Sequence, residues 1–156
     1  MTSHDPATVT TGGDQHPAGD LARRMTALFD EGGSTLMREF DLRITHAEPG
    51  LVRFVLPVTE RLTHGGGVLS GQAIMACMDT GMVFAMMSLN DAGEPNFTTV
   101  ELKTAFERGV PADVGEVTFQ ARITKPGRNL VFGEVDLLLP DGRRAAHATS
   151  TYMWLT

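Results

Sequence analysis

The stretch from Gly71 to Leu89 constrains the fold more than any other feature, because it places nineteen mainly apolar residues in a row with a single charged side chain, Asp79. A helix of that length could span a bilayer. However, a carboxylate near the middle of a membrane helix costs roughly 2.5 to 3.5 kcal/mol, and no Lys or Arg flanks either end. Apolar residues on all sides are typical of a helix buried inside a protein. We therefore predict a core helix without membrane insertion.

The rest of the chain is rich in strand-like segments separated by turn residues. Residues 51–58 alternate apolar and polar side chains, which is the period of a half-buried strand, and residues 36–44 are expected to form the preceding strand of a hairpin. Four further strands are predicted after the helix, at Phe97–Phe106, 114–124, 130–139 and Arg144–Trp154. This order predicts an α+β fold, in which an antiparallel sheet of about five to six strands wraps around one long central helix.

The 156-residue chain has the length of one domain preceded by a polar N-terminal segment. Residues 1–20 show no apolar period, so we predict a disordered tail over 1–20 and a single domain over 21–156. Residues 21–29 repeat apolar side chains at helical spacing and predict a short covering helix. The tail lacks the features of a signal peptide, and the lone Cys77 cannot form an intramolecular disulfide. A cytoplasmic location is expected.

Charge and histidine placement narrow the classes of partner. Thirteen Lys and Arg against 19 Asp and Glu give a formal charge of −6, and the basic residues form no cluster beyond adjacent pairs. A nucleic-acid partner is therefore not expected. The histidines are scattered without a ligand-like spacing, so we expect neither a metal site nor a resident cofactor.

Asp79 is the residue that packing alone does not explain. An ionised carboxylate in an apolar helix is costly unless it is paired or hydrogen-bonded, and no Lys or Arg lies within a turn or two. One interpretation is a structural Asp that accepts hydrogen bonds from hydroxyl groups, with Thr80 and Thr99 as candidate donors. The other is a general base or nucleophile activated by desolvation. The residues alone leave both open.

The start of the helix offers a second candidate feature. Ser70 is placed as the N-cap and Gly71 in the first turn, where free amides and the helix dipole favour developing negative charge. This is either an oxyanion hole or a plain capped turn after a run of glycines. Asp79 lies about 12 Å further along the axis at about 1.5 Å per residue. Both groups can act on one carbonyl only if a second subunit supplies one of them, so a catalytic interpretation predicts at least a homodimer.

The residues His64, Gly67, Ser70-Gly71-Gln72 and Asp79 form a spaced pattern around the helix start. It resembles the signature of the hotdog-fold acyl-CoA thioesterases of the PaaI-like branch, which has an Asn, a Gly, then His-Gly-Gly, and a helical Asp. Ser70-Gly71-Gln72 stands in place of His-Gly-Gly and His64 in place of the Asn, while Gly67 and Asp79 fall in register. Residues 99–108, 125–130 and 141–148 also look like the family's later strands, so the resemblance runs from about residue 36 to the C-terminus.

The resemblance implies roles for individual residues. Asp79 would be the nucleophile or general base, Gly71 the oxyanion donor from the opposite subunit, and Thr99 a hydroxyl that positions Asp79 or water. The departures from the family pattern leave the Gly71 amide intact, and we interpret them as changes in substrate or rate. Residues expected at the substrate site are His64, Gly67, Ser70 and Gln72 around the thioester, with Arg108, Arg128 and Asn129 as candidates for holding the CoA phosphates. A solvated turn explains the last three equally well.

The function expected from this resemblance is hydrolysis of an acyl-CoA to free acid and CoA, with CoA present only as part of the substrate. The predicted assembly is a homodimer, and hotdog dimers often pair further into tetramers. One alternative is a non-catalytic acyl-CoA or lipid-binding module on the same scaffold, which the Ser70 and His64 departures make conceivable. A hotdog hydratase or dehydratase ranks last, because no His falls within the helix.

Overall fold

A six-stranded antiparallel sheet packs around one long helix in the computed structural model, which describes residues 17–90 and 96–155. The helices are α1 (Pro17–Gly32), α2 (Thr35–Arg38) and α3 (Gly71–Leu89). The strands are β1 (Arg43–Glu48), β2 (Leu51–Pro57), β3 (Thr63–His64), β4 (Val68–Leu69), β5 (Phe97–Phe106), β6 (Glu116–Pro126), β7 (Leu130–Leu138) and β8 (Arg144–Trp154). The sheet order is β1-β2-β6-β7-β8-β5, and β3 and β4 form a separate small hairpin. The predicted α+β architecture is confirmed.

The apolar character of α3 is explained by its surroundings, because it packs against β2, β5, β6, β7 and β8. The helix is long and apolar enough to cross a membrane, yet two thirds of its apolar window is buried inside the fold, as expected for a core helix. The stacked rings of Phe54 and Phe119, 5.1 Å apart, and the edge of Phe84 form the centre of the core. Gly133 on β7 allows the Met82 side chain of α3 to pack closely against the sheet. A Cβ at this position would lie 2.5 Å from the Met82 methyl carbon and 2.8 Å from the Arg122 carbonyl oxygen.

The N-terminal third differs from the sequence-based expectation. The strand predicted over residues 36–44 is wrong, because α2 occupies Thr35–Arg38 and β1 begins only at Arg43. Buried Met37 and Phe40 lie three residues apart, a helical spacing, and Asp41 adopts a left-handed conformation at φ 55° that ends the turn. The covering helix predicted over 21–29 is present and longer, since α1 starts at Pro17, inside the segment assigned to the tail. Residues 1–16 lie outside the described part of the chain.

The strands after α3 lie close to the predicted positions. β5 and β8 have the predicted bounds, and β6 and β7 differ from prediction by at most two residues at either end. β5 forms one edge of the sheet and pairs only with β8 among the described strands. Within the described chain one backbone edge of β5 is therefore unpaired, and β5 also contacts α3.

Candidate active site

The Asp79 carboxylate is held by two hydroxyl groups from neighbouring strands. Its Oδ1 accepts hydrogen bonds from Thr99 Oγ1 on β5 at 3.0 Å and from the Tyr152 hydroxyl on β8 at 2.5 Å. Thr99 and Tyr152 are paired directly across the two strands, so the sheet fixes both donors relative to the helix. Across residues 17–90 and 96–155, all hydrogen bonds to this side chain go to Oδ1. The other oxygen, Oδ2, is left for a water molecule or a substrate.

The expected position of Asp79 needs a correction. The residue is half-buried and lines a cavity, whereas the sequence predicts a carboxylate enclosed by the core. Thr99 is a donor as expected, but Thr80 is buried and makes no hydrogen bond to Asp79. Among the described residues, the donors to this carboxylate are neutral hydroxyls and none is a charged group, so no ion pair is formed there.

Tyr152 is the site residue that sequence reasoning missed. It is the chain's single tyrosine and is 1% exposed, and burial followed by its hydrogen bond to Asp79 raises the pKa of its hydroxyl. The phenol therefore stays protonated and donates to the carboxylate. One feature of the sequence could have indicated the role of Tyr152. Inward-facing positions of β8 alternate through Ala146, Ala148 and Ser150 to Tyr152, and a buried phenol generally has a hydrogen-bond partner.

The start of α3 forms the second candidate feature. Ser70 is the N-cap as predicted, and its Oγ accepts from the Ala73 N–H at 3.3 Å. The Gly71 N–H has no acceptor within the described ranges. Gly71 lies against the Phe106 ring, since a Cβ added at Gly71 would lie 3.5 Å from the nearest ring carbon. A free backbone amide at a helix start is able to bind an oxyanion.

The remaining residues predicted near the thioester lie around the β3–β4 hairpin. Gly67 has φ 71° in the hairpin turn, a conformation that favours glycine. His64 is exposed, and its Nδ1 accepts a hydrogen bond from the Gly66 N–H at 2.9 Å, so one ring nitrogen is engaged in its own turn. Gln72 is exposed in the first turn of α3. None of these side chains contacts Asp79 within one protomer.

The Asp79 carboxylate and the Gly71 amide lie at opposite ends of β5. Asp79 is bonded to Thr99 near one end, and Gly71 contacts Phe106 at the other. Gly71 and Asp79 are separated by about 12 Å along their shared helix at about 1.5 Å per residue. One chain therefore does not bring the amide and the carboxylate to a common carbonyl.

The candidate CoA-binding residues are also separated. Arg108 follows the Phe106 end of β5, where its Nε donates to the Arg144 carbonyl at 2.7 Å. Arg128 and Asn129 are exposed in the turn between β6 and β7, and the Asn129 carbonyl accepts from the Trp154 N–H at 3.0 Å. Trp154 pairs with the Phe97 end of β5. Within a single chain these residues do not form one phosphate site.

A cavity of about 860 Å³ lies between α3 and the segment formed by α1 and α2. Asp79 and Thr80 contribute polar groups to its wall, while most of the remaining wall is apolar. This cavity was not predicted from the sequence, because it is formed by two segments that are 39 residues apart at their nearest lining residues, Met37 and Ala76. In the described ranges no group of three or more His, Cys, Asp or Glu side chains is arranged to hold a metal ion. Burial raises the pKa of the Cys77 thiol, so it is a poor nucleophile.

Comparison with known proteins identifies the family. The family model described as the thioesterase superfamily matches residues 66–146, which include α3, β5, β6, β7 and the start of β8. The chain belongs to the thioesterase superfamily. This match and the solved structures described next, which include PaaI proteins, together confirm the predicted hotdog fold and the resemblance to PaaI-like thioesterases.

Individual relatives agree with this assignment. A thioesterase family protein from Silicibacter pomeroyi is 28% identical, with a TM-score of 0.73 over 86% of this chain and 98% of its own. SSO2140 of Saccharolobus solfataricus, a candidate esterase, is 27% identical over 117 residues, covering 75% of this chain and 81% of that protein. The PaaI protein of E. coli, from the phenylacetic acid degradation operon, has a TM-score of 0.74 at 15% identity, covers 87% of this chain and 96% of its own, and shows the shared fold. These similarities support thioesterase activity in general.

Proposed function

We propose that this protein hydrolyses an acyl-CoA thioester to the free acid and CoA. Asp79 acts as general base or nucleophile, and the Gly71 N–H of the partner subunit binds the oxyanion. The observation that carries the proposal is the state of Asp79. Its carboxylate is fixed through one oxygen by Thr99 and Tyr152, while the other oxygen has no donor in the described chain and the residue lines a large apolar cavity.

The chemistry follows one of two routes from this arrangement. In the first, Asp79 removes a proton from a water molecule, whose oxygen attacks the thioester carbonyl carbon. In the second, Asp79 attacks that carbon itself and forms a mixed anhydride, which water then hydrolyses. In both, the tetrahedral oxyanion accepts a hydrogen bond from the Gly71 N–H, the carbon–sulfur bond breaks, and CoA leaves as a thiolate that takes up a proton.

A homodimer built through β5 supports the joint use of Asp79 and Gly71. β5 is an edge strand with exposed apolar side chains, since Val100 is 55% and Phe106 is 52% exposed. A long apolar edge is a site for strand association. Antiparallel pairing about a two-fold axis, with Thr99 facing Phe106 of the partner subunit, carries Gly71 of the partner subunit toward Asp79.

The same pairing accounts for the separated basic residues. Arg108 lies beyond one end of β5 and Asn129 beside the other, so the two-fold axis brings Arg108 of the partner subunit toward Arg128 and Asn129. We propose that the CoA phosphates are held by residues of both chains, with Arg108, Arg128 and Asn129 as the candidates. Further pairing into a dimer of dimers is part of this proposal.

The direct test replaces Asp79 with Asn and follows release of the CoA thiol from short, medium and aromatic acyl-CoAs. Loss of a positioned acid–base group reduces turnover about 10²- to 10⁴-fold. Asp113→Asn is the matched control, because Asp113 is exposed and forms no hydrogen bond in the described structure. Turnover in Asp79→Asn equal to that of the control would overturn the assignment.

A non-catalytic acyl-CoA-binding module remains the second candidate. It is favoured by the engagement of His64 in its own hairpin turn and of Ser70 as a helix cap, which leaves neither side chain dedicated to the thioester. It predicts saturable acyl-CoA binding without thiol release from any member of the panel. The third-ranked hydratase activity predicts hydration of crotonyl-CoA in the same preparations.

A further inference from the structure

We infer that the cavity between α1, α2 and α3 is the acyl pocket of this enzyme and that it selects neutral, apolar acyl groups larger than acetyl. The inference rests on the proposed function. It assigns substrate selectivity to residues 28–37, which lie outside the part of the chain matched by the thioesterase family model. These residues form a wall that the matched region alone does not provide.

The position of the cavity follows from the face of α3 that lines it. Ala76, Asp79, Val83 and Met87 recur at three- or four-residue spacing, so they lie on one side of the helix. Val83 and Met87 are one and two turns beyond Asp79, about 6 and 12 Å along the axis at about 1.5 Å per residue. An acyl group whose carbonyl carbon is at Asp79 therefore extends along an apolar stripe toward Met87.

The opposite wall is provided by the end of α1 and by α2. Leu28, Phe29 and Met37 line the cavity from this side. Leu28 is 37% exposed, so an apolar ligand in the cavity would bury more of its side chain and gain free energy from that burial. The cavity volume of about 860 Å³ lies within the range of roughly 300 to 1,000 Å³ that is usual for small-molecule sites.

Contacts within the chain hold this wall against α3 and join α2 to α1. The ring of Phe29 packs edge-on against Phe84 of α3 at 5.1 Å, and the Gly33 N–H donates to the Phe29 carbonyl at 2.7 Å. Arg38 of α2 donates to the Asp30 carbonyl at 3.1 Å and so ties α2 to the end of α1. A preorganised wall can discriminate by size, because it does not collapse onto a short acyl group.

The charges on the wall exclude acidic acyl groups. Glu31 and Asp79 are the charged residues that line the cavity, and its described wall contains no Lys, Arg or His. A carboxylate at the far end of an acyl chain would be desolvated beside like charges without a counterion. The pocket therefore suits alkyl or aryl acyl groups and disfavours dicarboxylic ones.

The test measures binding of non-hydrolysable S-alkyl-CoA thioethers, so that it does not depend on turnover. With ethyl-, hexyl- and decyl-CoA, the dissociation constant of the wild type should fall by up to about fourfold for each buried methylene. Leu28→Trp should remove most of this gain and leave ethyl-CoA binding unchanged. Ala27→Trp is the matched control, since Ala27 is exposed on α1 and does not line this cavity. A terminal carboxylate on the hexyl chain should cancel the gain in the wild type.

The outcomes separate this inference from the proposed function. The acyl pocket would be overturned if the affinity is constant across the thioether series, or if Leu28→Trp and Ala27→Trp have equal effects. Either result would mean that another group, such as the partner subunit, fills the cavity, and either could occur while turnover still depends on Asp79. The pocket would be supported if the dissociation constant depends on alkyl chain length and Leu28→Trp removes that dependence. If turnover in the same protein does not need Asp79, the proposed catalysis is overturned while the pocket stands. Absence of thioether binding altogether would overturn the pocket.

Discussion

The two ends of β5 carry two chemically different halves of the proposed site. At the Thr99 end, Asp79 is held by side-chain hydroxyls from two strands, so that half depends on residue identity. At the Phe106 end, Gly71 offers a backbone N–H, and its neighbours Ser70 and His64 are occupied with capping and turn hydrogen bonds. Because the Gly71 end of the site depends on a backbone N–H, it should be insensitive to most side-chain replacements.

The predicted departures from the family pattern all lie at the Gly71 end. Ser70 and Gln72 replace His and Gly of the motif, and His64 replaces Asn, yet the free amide of Gly71 is retained. At the other end Asp79 is in register with the family pattern, and its Oδ1 accepts hydrogen bonds from two hydroxyl groups. Mutations should therefore act through side-chain chemistry at the Asp79 end and through the backbone at the Gly71 end.

Apart from Asp79→Asn, the largest effect is expected from removing the Gly71 N–H with Gly71→Pro. Proline is tolerated at the first helical position, and Ser70, with φ −69° and ψ 144°, already has the conformation required before proline. Loss of one oxyanion donor should lower kcat about 10²- to 10³-fold. Gly71→Ala keeps the N–H and should retain most of the activity. Steady-state kinetics of both variants check this, and equal activities would remove the backbone amide from the mechanism.

A smaller effect is expected from Tyr152→Phe at the other end. The substitution removes one of two donors to Asp79 Oδ1 and keeps the packed ring. We expect kcat to fall about tenfold with KM unchanged, and the free energy of unfolding to fall by about 1.5 to 3 kcal/mol. Kinetics and urea denaturation measure the two quantities. A change confined to stability would show that Tyr152 supports the fold without positioning the carboxylate.

The smallest effect on catalysis is expected from Ser70→Ala. Loss of the N-cap should reduce stability by about 1 kcal/mol, because the Ala73 N–H loses its acceptor. The Gly71 N–H is untouched, so kcat should stay within about twofold of the wild type at temperatures where the variant is folded. A loss of kcat as large as that of Gly71→Pro would mean that the Ser70 hydroxyl itself contacts the substrate.

Much of the fold was accessible from the sequence because its signals are local. The charge-poor run predicts the bounds of α3, and period-two alternation between clear turns predicts β5 to β8. Residues 36–44 were mispredicted because the short α2 is fixed by packing of Met37 and Phe40 into the core, which a nine-residue pattern does not reveal. Tertiary contacts decide such short segments.

The site was predictable only in part, because its contacts are long-range. Asp79 stands out as a lone charge in an apolar run, and Thr99 was suggested as its partner. Tyr152 is 73 residues away and reaches Asp79 only through the pairing of β8 with β5. The opposite placement of Arg108 and Asn129 likewise depends on strand order and register. The family resemblance implied the roles of Asp79 and Gly71, whereas the distances between the site residues became known only from the fold.

The central claim is that each site takes Asp79 from one chain and Gly71 from the other. It is tested most directly by mixing Asp79→Asn and Gly71→Pro subunits under conditions that allow dimers to exchange. Each variant alone has two defective sites, whereas a mixed dimer has one site with an intact carboxylate and an intact amide. Random mixing makes half of the dimers mixed, and half of their sites are intact.

We expect the mixture to recover about one quarter of wild-type thioester hydrolysis per subunit, a level far above either variant alone. The mixed dimer, purified with a different tag on each subunit, should have about one half of the wild-type hydrolysis per subunit. Activity in the mixture equal to the average of the two separate variants, with exchange verified by mass spectrometry, would contradict a site shared between chains.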